Sequence, residues 1–546
     1  MHRTVGKWLG RGGLLAAGAL VAVLAVRAWD ARSGPELEQW HTFVPDELDH
    51  DELERSEWKD YLAVEERIFA EVREEVTERL DPEDRLLSNR YFAGSPIYPG
   101  RFEYDWNRSY VLEPDGPPVG AVVLLHGLTD SPYSLRHIAR RYRELGFVAV
   151  AIRLPAHGTV PAALADIEWE DWLEATRLAV REARRRAGPD APLHLVGFSN
   201  GGALAMKYAL DALGDPSLDR PARIVLISPM IGITAFARFA GVFGWPAVLP
   251  AFAKASWLGV VPEFNPFKYN SFPVNGARQS SLLTRSLQEQ IARYAQEGRL
   301  LDLPPVLTFQ SVVDFTVSTR AIVRSLYAHL PENGSELVLF DFNRNARFGP
   351  LLRSTTETVL SRILPAPPRR YRTTIVTNAG RADYTVIARV LDAGATVTVD
   401  RPLGLAFPAG VYSLSHVALP FPLNDSLYGL EPETEEFGVN LGAMALRGER
   451  GILVVSLDSL VRVSSNPFYP WLLGRIEEGI AADVPGIELA PVPAAEPASP
   501  AEATAQRRGA PEGVTTTGST RNAFMASRSA GSSVPEAERS LTRLVR

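Results

Sequence analysis

Short apolar runs alternating with amphipathic stretches dominate the first two thirds of the chain. Residues 121–125, 147–153, 192–196, 224–228, 306–311 and 336–342 read as strands, too short for helices, and 121–125 has the continuous apolar character of a strand covered on both faces. Between them, residues 135–145, 169–187, 201–213 and 318–330 carry apolar side chains at helical spacing. Strands alternating with helices predict an α/β fold, a doubly wound, mostly parallel sheet with right-handed crossovers. Ligands of such a sheet bind beyond the carboxyl ends of its strands, where His126, His157, Ser199 and Pro229 fall.

Elsewhere the pattern changes and marks boundaries. Residues 45–82 are dense in Asp, Glu and Arg, with Trp58, Tyr61, Leu62, Phe69 and Val72 at helical spacing; this predicts an amphipathic helical spacer over 31–90 whose charges form a solvated face. Alternation around Phe102, Tyr104 and Tyr110 predicts edge strands before the first part of the core, 91–229. The alternation of strands and helices stops over 230–300, where aromatics crowd the chain before a helix at 279–296. This predicts a cap, with Phe236, Phe239 and Trp257 as candidates to line an apolar pocket; the alternative is that they pack the cap onto the sheet. The core resumes over 301–342. Strand-like stretches at 371–377, 383–390 and 396–399 predict a β-rich insertion over 343–410, and 411–484 returns to the core with a strand at 452–457 and a helix at 467–480. Residues 485–546 are Pro, Ala, Ser, Thr and Gly with few large apolar side chains, a composition expected to remain disordered.

Residues 1–30 bear on location. Arg3, Lys7 and Arg11 precede an uncharged run, 12–26, followed by Arg27 and Trp29. From Trp8 to Trp29 a helix would extend about 33 Å at 1.5 Å per residue, enough to cross a bilayer with the arginines snorkelling and the tryptophans at the interfaces. The segment is read as an uncleaved membrane anchor in preference to a cleaved signal, with the N-terminus cytoplasmic and the remainder on the periplasmic or extracellular side. The net charge of −7 gives no footprint for nucleic acid, and the absence of cysteine excludes disulfides, thiolate metal sites and a cysteine nucleophile.

The chemistry centres on Gly197-Phe198-Ser199-Asn200-Gly201-Gly202, between a predicted strand and a predicted helix. Small residues two places either side of the serine permit a turn sharp enough to expose its hydroxyl, the geometry of a nucleophile elbow. A serine hydroxyl needs a base to take its proton and a carboxylate to hold that base, in the chain order serine, acid, histidine. Asp314 directly follows a strand and is preferred over Asp341 as the acid. His416 follows a predicted strand, 411–415, and so falls on a loop that can face the site; it is preferred over His329, which lies near the end of a helix. The backbone N–H groups of Leu128 and Asn200 are the candidate oxyanion donors. His126 and His157 precede the serine and read as loop-shaping residues. No His-Glu-x-x-His, P-loop or dinucleotide fingerprint is present, so neither a metal nor a nucleotide cofactor is expected.

The stretches 122–134 (VVLLHGLTDSPYS), 153–159 (RLPAHGT), 197–205 (GFSNGGALA) and 305–317 (PVLTFQSVVDFTV) resemble the α/β-hydrolase superfamily, in its monoacylglycerol lipase, lysophospholipase and serine aminopeptidase-like branch. The resemblance covers roughly 121–342 and implies a triad of Ser199, Asp314 and His416 with Leu128 and Asn200 as oxyanion donors. It departs from the family in one respect: Phe342-Asn343-Arg344 carries no histidine where most relatives place theirs, and about seventy residues intervene before His416. The expected activity is cleavage of carboxylic esters with a lipid-like acyl chain, at the membrane surface. An amidase, an aminopeptidase or an acyltransferase on the same triad, and a non-catalytic membrane-tethered binding module, stay open.

Overall fold

The computed structural model describes residues 14, 18, 21–22, 35–232, 254, 256–344, 359–444, 460–462 and 464–489. The apolar runs become strands: β1 (Tyr110–Leu112), β2 (Gly120–Leu125), β3 (Phe147–Ala151), β4 (Leu193–Phe198), β5 (Arg223–Ile227), a short ribbon of β6 (Trp257–Gly259) and β7 (Phe272–Pro273), β8 (Val306–Ser311), β9 (Glu336–Phe340), β10 (Arg372–Asn378), β11 (Thr385–Leu391) and β12 (Val399–Ala406). The main sheet has ten strands in the order β1-β3-β2-β4-β5-β8-β9-β10-β11-β12. From β3 to β10 every neighbour is parallel, while β1, β11 and β12 run antiparallel at the edges.

Alternation along the strands divides the interior into two layers. Val123, Leu125, Val148, Val150 and Leu195 point to one face, which the helices α1 (His50–Arg55), α2 (Trp58–Val72), α4 (Trp169–Ala187), α5 (Asn200–Gly214) and α6 (Val274–Gln296) cover. Val122, Leu124, Ala149, Val196 and Phe198 point to the other, covered by α3 (Arg136–Glu144), α7 (Tyr469–Asp483) and the loops of residues 407–441. Both faces of the parallel strands are thus buried, which is why β2 and β3 read as unbroken apolar runs.

Three expectations are corrected. The strands of the expected 343–410 insertion are not a separate body: β10 lies parallel beside β9, pairing Arg372 with Glu336 through Val376 with Phe340, so the segment lengthens the main sheet. Residues 411–415 form no strand, and of the edge alternation at 101–112 only β1 is a strand. The charges of residues 45–82 do not all face water. Arg153, wholly buried at the end of β3, holds both oxygens of Glu47 at 2.7 and 2.9 Å and one of Glu65 at 3.1 Å. Burial pushes the Glu65 carboxyl up, and Arg153 and the N–H and hydroxyl of Ser109 oppose that shift. This ion cluster, with the Tyr61 hydroxyl donating to the Arg153 carbonyl, fastens the N-terminal helices to the sheet.

The anchor call over 1–30, the strand at 452–457 and the tail from residue 490 lie outside the described residues, save Leu14, Gly18, Val21 and Ala22. Among those described, no helix is long and apolar enough to cross a membrane.

Removing one partner from a buried ion cluster leaves uncompensated charge and costs about 3–5 kcal/mol, whereas an exposed pair contributes about 0–1 kcal/mol. Arg153→Leu is therefore expected to lower the urea unfolding midpoint far more than Arg389→Ala, which removes the exposed pair with Asp400. Equal midpoints for the two variants would contradict the role given to the cluster.

Candidate active site

Ser199 sits between β4 and α5 at φ 54° and ψ −113°, in the left-handed half of conformational space that non-glycine residues rarely enter. Three backbone hydrogen bonds hold it there: Ser199 N donates to Ile227 O at 3.0 Å, while Ser199 O accepts from Gly202 N at 3.0 Å and Met230 N at 2.9 Å. The turn also needs its glycines. A β-carbon on Gly201 would lie 2.0 Å from the carbonyl oxygen of Leu125, and one on Gly197 would lie 2.4 Å from that of Gly201. Asn200 and Gly201 open α5, so their N–H groups have no partner within the helix. The Asn200 side chain is buried, and its Oδ1 accepts from Ser280 Oγ at 3.0 Å.

Asp314 lies three residues past β8. Its Oδ1 accepts from the N–H groups of Thr316 and Val317 at 2.7 and 3.0 Å, and its Oδ2 accepts from His416 Nδ1 at 2.9 Å and Gln310 Nε2 at 3.2 Å. Burial pushes this carboxyl up, but the adjacent His416 ring and the two N–H donors outweigh it and hold it below its ordinary value. With Asp314 ionised, Nδ1 of His416 carries the proton and Nε2 is left as an acceptor. The ring packs 5.3 Å from that of Phe198, and the chain before it is pinned by Ser311 Oγ, which donates to Leu414 O at 2.9 Å.

Ser199 and His416 open on one cavity of about 540 Å³. Leu128, Met230, Leu258, Phe272 and Val417 give it apolar walls, and Lys268 and Arg462 supply positive charge. The structure thus brings Ser199, His416 and Leu128 to one cavity, with Asp314 behind the histidine. It places the alternatives elsewhere. Asp341 is buried against Arg344 and Thr377, at 2.6 and 3.2 Å, and neither Asp341 nor His329 lines the cavity. His126 donates from Nδ1 to Gly127 O and accepts at Nε2 from Leu154 N, which ties together the loops after β2 and β3. Of the pocket candidates, Phe236 and Phe239 lie outside the described residues. Trp257 turns away from the cavity and meets His41 edge-on at 4.9 Å, since the apolar surface of the N-terminal segment covers it first.

Lys268, Phe315 and Arg462 line the cavity without having been singled out from sequence. Phe315 adjoins the acid and stays exposed, a combination readable only once the acid is placed. A larger surface hollow of about 820 Å³ lies beside α4, α5 and α6, but it is walled by charges that pair with each other, among them Glu174 with Arg177 and Lys207 with Asp211. Among the described residues no cluster of three or more His, Asp or Glu side chains is arranged to hold a metal ion.

Residues 116–340 match the sequence profile of the serine aminopeptidase S33 family. That match takes in less than half of the chain, and over these residues the chain is similar to the serine aminopeptidase family and to a monoacylglycerol lipase. Over 92 residues, 17% of this chain, the domain is 30% identical to the thermostable monoacylglycerol lipase of Bacillus sp. (strain H-257) and spans about a third, 35%, of that relative's length. Among solved structures it is similar to a monoacylglycerol lipase from Paleococcus ferrophilus, at 18% identity and a TM-score of 0.31, covering 41% of this chain and 83% of that one. It is also similar to Est1E from Butyrivibrio proteoclasticus bound to ferulic acid, at 18% identity and a TM-score of 0.29, covering 41% and 81%.

Because a β-carbon at position 201 has no room, Gly201→Ala must displace either the end of β2 or the elbow. Overpacking of this kind costs about 1–3 kcal/mol or more. The variant is expected to melt below the wild type and to label less with a serine-directed fluorophosphonate. A variant that melts and labels like the wild type would contradict the close approach described.

Proposed function

We propose that this chain is a serine hydrolase that cleaves carboxylic esters bearing an apolar acyl chain, through an acyl-enzyme on Ser199. The observation that carries the reading is the Asp314–His416 hydrogen bond, which leaves a histidine acceptor on the cavity that also holds the strained serine. In this reading His416 Nε2 takes the Ser199 proton as Oγ attacks the ester carbonyl. Asp314 stabilises the resulting imidazolium and fixes its tautomer. The N–H groups of Leu128 and Asn200 receive the oxyanion, a role that preorganised backbone donors fill without reorganisation. On collapse of the tetrahedral intermediate His416 returns the proton to the leaving alcohol, and a water activated by the same nitrogen then releases the acid.

Apolar walls and a volume of about 540 Å³ favour an acyl chain over a polar substrate. The partial match to a protein named a monoacylglycerol lipase supports a single-chain lipid-like ester. The family description supports a second reading, peptide amides on the same triad, and an activity screen across acyl-chain lengths with aminoacyl amides included separates the two.

Ser199→Ala and His416→Ala are each expected to reduce ester turnover by a factor on the order of 10⁴ to 10⁶, because triad members act as a unit. Asp314→Asn is expected to be severe through the wrong imidazole tautomer, while Asp341→Asn and His329→Ala stay near wild type. A Ser199→Ala variant with more than about a tenth of the activity, or a wild type that no fluorophosphonate labels, would overturn the assignment.

The same reading places the enzyme at a membrane, held by residues 1–30 with the catalytic domain on the non-cytoplasmic side. Basic residues before an uncharged run, with tryptophans at its ends, support this. The intact chain is expected in the membrane fraction, extractable by detergent but not by carbonate; its recovery in the cytosol would refute the placement.

A further inference from the structure

Gln310 lies one residue before the end of β8 and is wholly buried. Its amide nitrogen sits among three acceptors: Asp314 Oδ2 at 3.2 Å, Thr319 Oγ1 at 3.1 Å and the Ser311 carbonyl at 3.2 Å. The Thr319 hydroxyl donates its own proton to that same carbonyl at 3.0 Å, so its oxygen has only lone pairs to offer. The reverse orientation of the amide would set its oxygen against a carboxylate and a carbonyl, so the nitrogen is the atom that faces Asp314. The other end of the amide gains nothing: Oε1 is buried and has no partner among the described residues. A buried amide left half satisfied costs stability that an apolar side chain of the same size would not. What Gln310 contributes therefore lies at its nitrogen.

Asp314 is held unevenly. Its Oδ1 accepts from two backbone N–H groups, whereas Oδ2, the oxygen that His416 Nδ1 uses, has Gln310 Nε2 as its one other donor among the described residues. The backbone of the turn fixes one oxygen, and a side chain from the middle of the sheet fixes the other. Ser311, the next residue, points to the opposite face as alternation along a strand requires, and its hydroxyl donates to Leu414 O, two residues before His416. The last two residues of β8 thus hold both members of the pair, Gln310 the acid and Ser311 the chain that brings the base. Gln310 does not line the Ser199 cavity, so it acts through Asp314.

On the triad reading proposed above, we infer that Gln310 is a positioning residue for the Asp314–His416 pair: its amide N–H fixes Asp314 Oδ2 against His416 Nδ1 and takes up part of the charge on that oxygen. A donor to the ionised carboxylate weakens its hold on a proton, and hence on the imidazolium. The base is then freed of its proton at a lower pH than it would be with His416 as the sole donor to that oxygen. The other charged groups near the pair are Asp130, from the loop after β2, and Lys268 and Arg462 of the cavity wall, Arg462 Nη2 donating to Thr316 Oγ1 at 2.6 Å. None of them is hydrogen-bonded to Gln310, so its replacement leaves them in place.

The test is the second-order rate at which a serine-directed fluorophosphonate labels the full chain, measured between about pH 4 and 9 in the wild type and in Gln310→Met, which fills a similar volume without a donor. Labelling needs an unprotonated base but no particular substrate. In Gln310→Met the acid limb of the rate profile is expected to move to higher pH by at least about 0.3 unit, because the unshared carboxylate charge stabilises the imidazolium. A residue that only filled the core would lower the melting temperature and leave the limb in place. Should Gln310→Met fail to fold, Gln310→Asn, which keeps the amide but is too short to reach Asp314, decides by the same limb. A smaller displacement, or one to lower pH, overturns the inference; loss of labelling in Ser199→Ala, run in the same series, then leaves the triad standing. Labelling that survives Ser199→Ala would overturn the triad and the inference together.

Discussion

The constraint on which the site depends is the backbone at Ser199. A serine at φ 54° carries strain on the order of 1–3 kcal/mol, which persists only because the surroundings over-determine it. The Ile227 carbonyl takes its N–H, the Gly202 and Met230 N–H groups take its carbonyl, and neither Gly197 nor Gly201 has room for a side chain. What results is a hydroxyl lifted off the sheet at the start of a helix, where free N–H groups and the positive end of the helix dipole converge. The rest of the fold meets that point. β8 ends beside it and presents Asp314, the loop after β2 brings Leu128, and the return of the chain past β12 brings His416.

Much of this was legible in the sequence because it rests on local signals. The strand at 306–311 and the helix at 169–187 have the bounds that their apolar patterns predict, since burial on both faces or on one stripe is what those patterns record. The small residues around Ser199 are a local steric requirement, equally readable. α6 was foreseen only from residue 279; it starts at Val274 because Asn275 and Gln279 are used in tertiary contacts, Asn275 Nδ2 donating to the carbonyls of Leu164 and Ile167.

What escaped was set by partners far away in the chain. Glu47 and Glu65 sit in a stretch of dense charge, and nothing near them reveals that Arg153, about a hundred residues on, draws them inward. β10 is rich in threonine and mostly polar, so its sequence does not show that it extends a parallel sheet; that follows only from its pairing with β9. Trp257 was drawn to the pocket by the company of other aromatics, yet His41, about two hundred residues earlier in the chain, covers it.

The route to His416 has a consequence for how such a chain can change over time. After β9 the chain leaves at Asn343 and comes back beside it: Asn343 N donates to Tyr412 O at 2.8 Å and its Nδ2 to Val411 O at 3.1 Å. Residues 344–411 therefore form an excursion whose two ends are buttoned together at its root, and the histidine emerges just beyond the button. Lengthening a closed loop is thermodynamically mild, about 0.6 kcal/mol per doubling, so the excursion can gain, lose or exchange strands with little effect on its root. Sequence drift is thereby sorted by position: the outer hairpin is at liberty to acquire new surface, while the few residues around Asn343 and Tyr412 keep the reactive geometry in register.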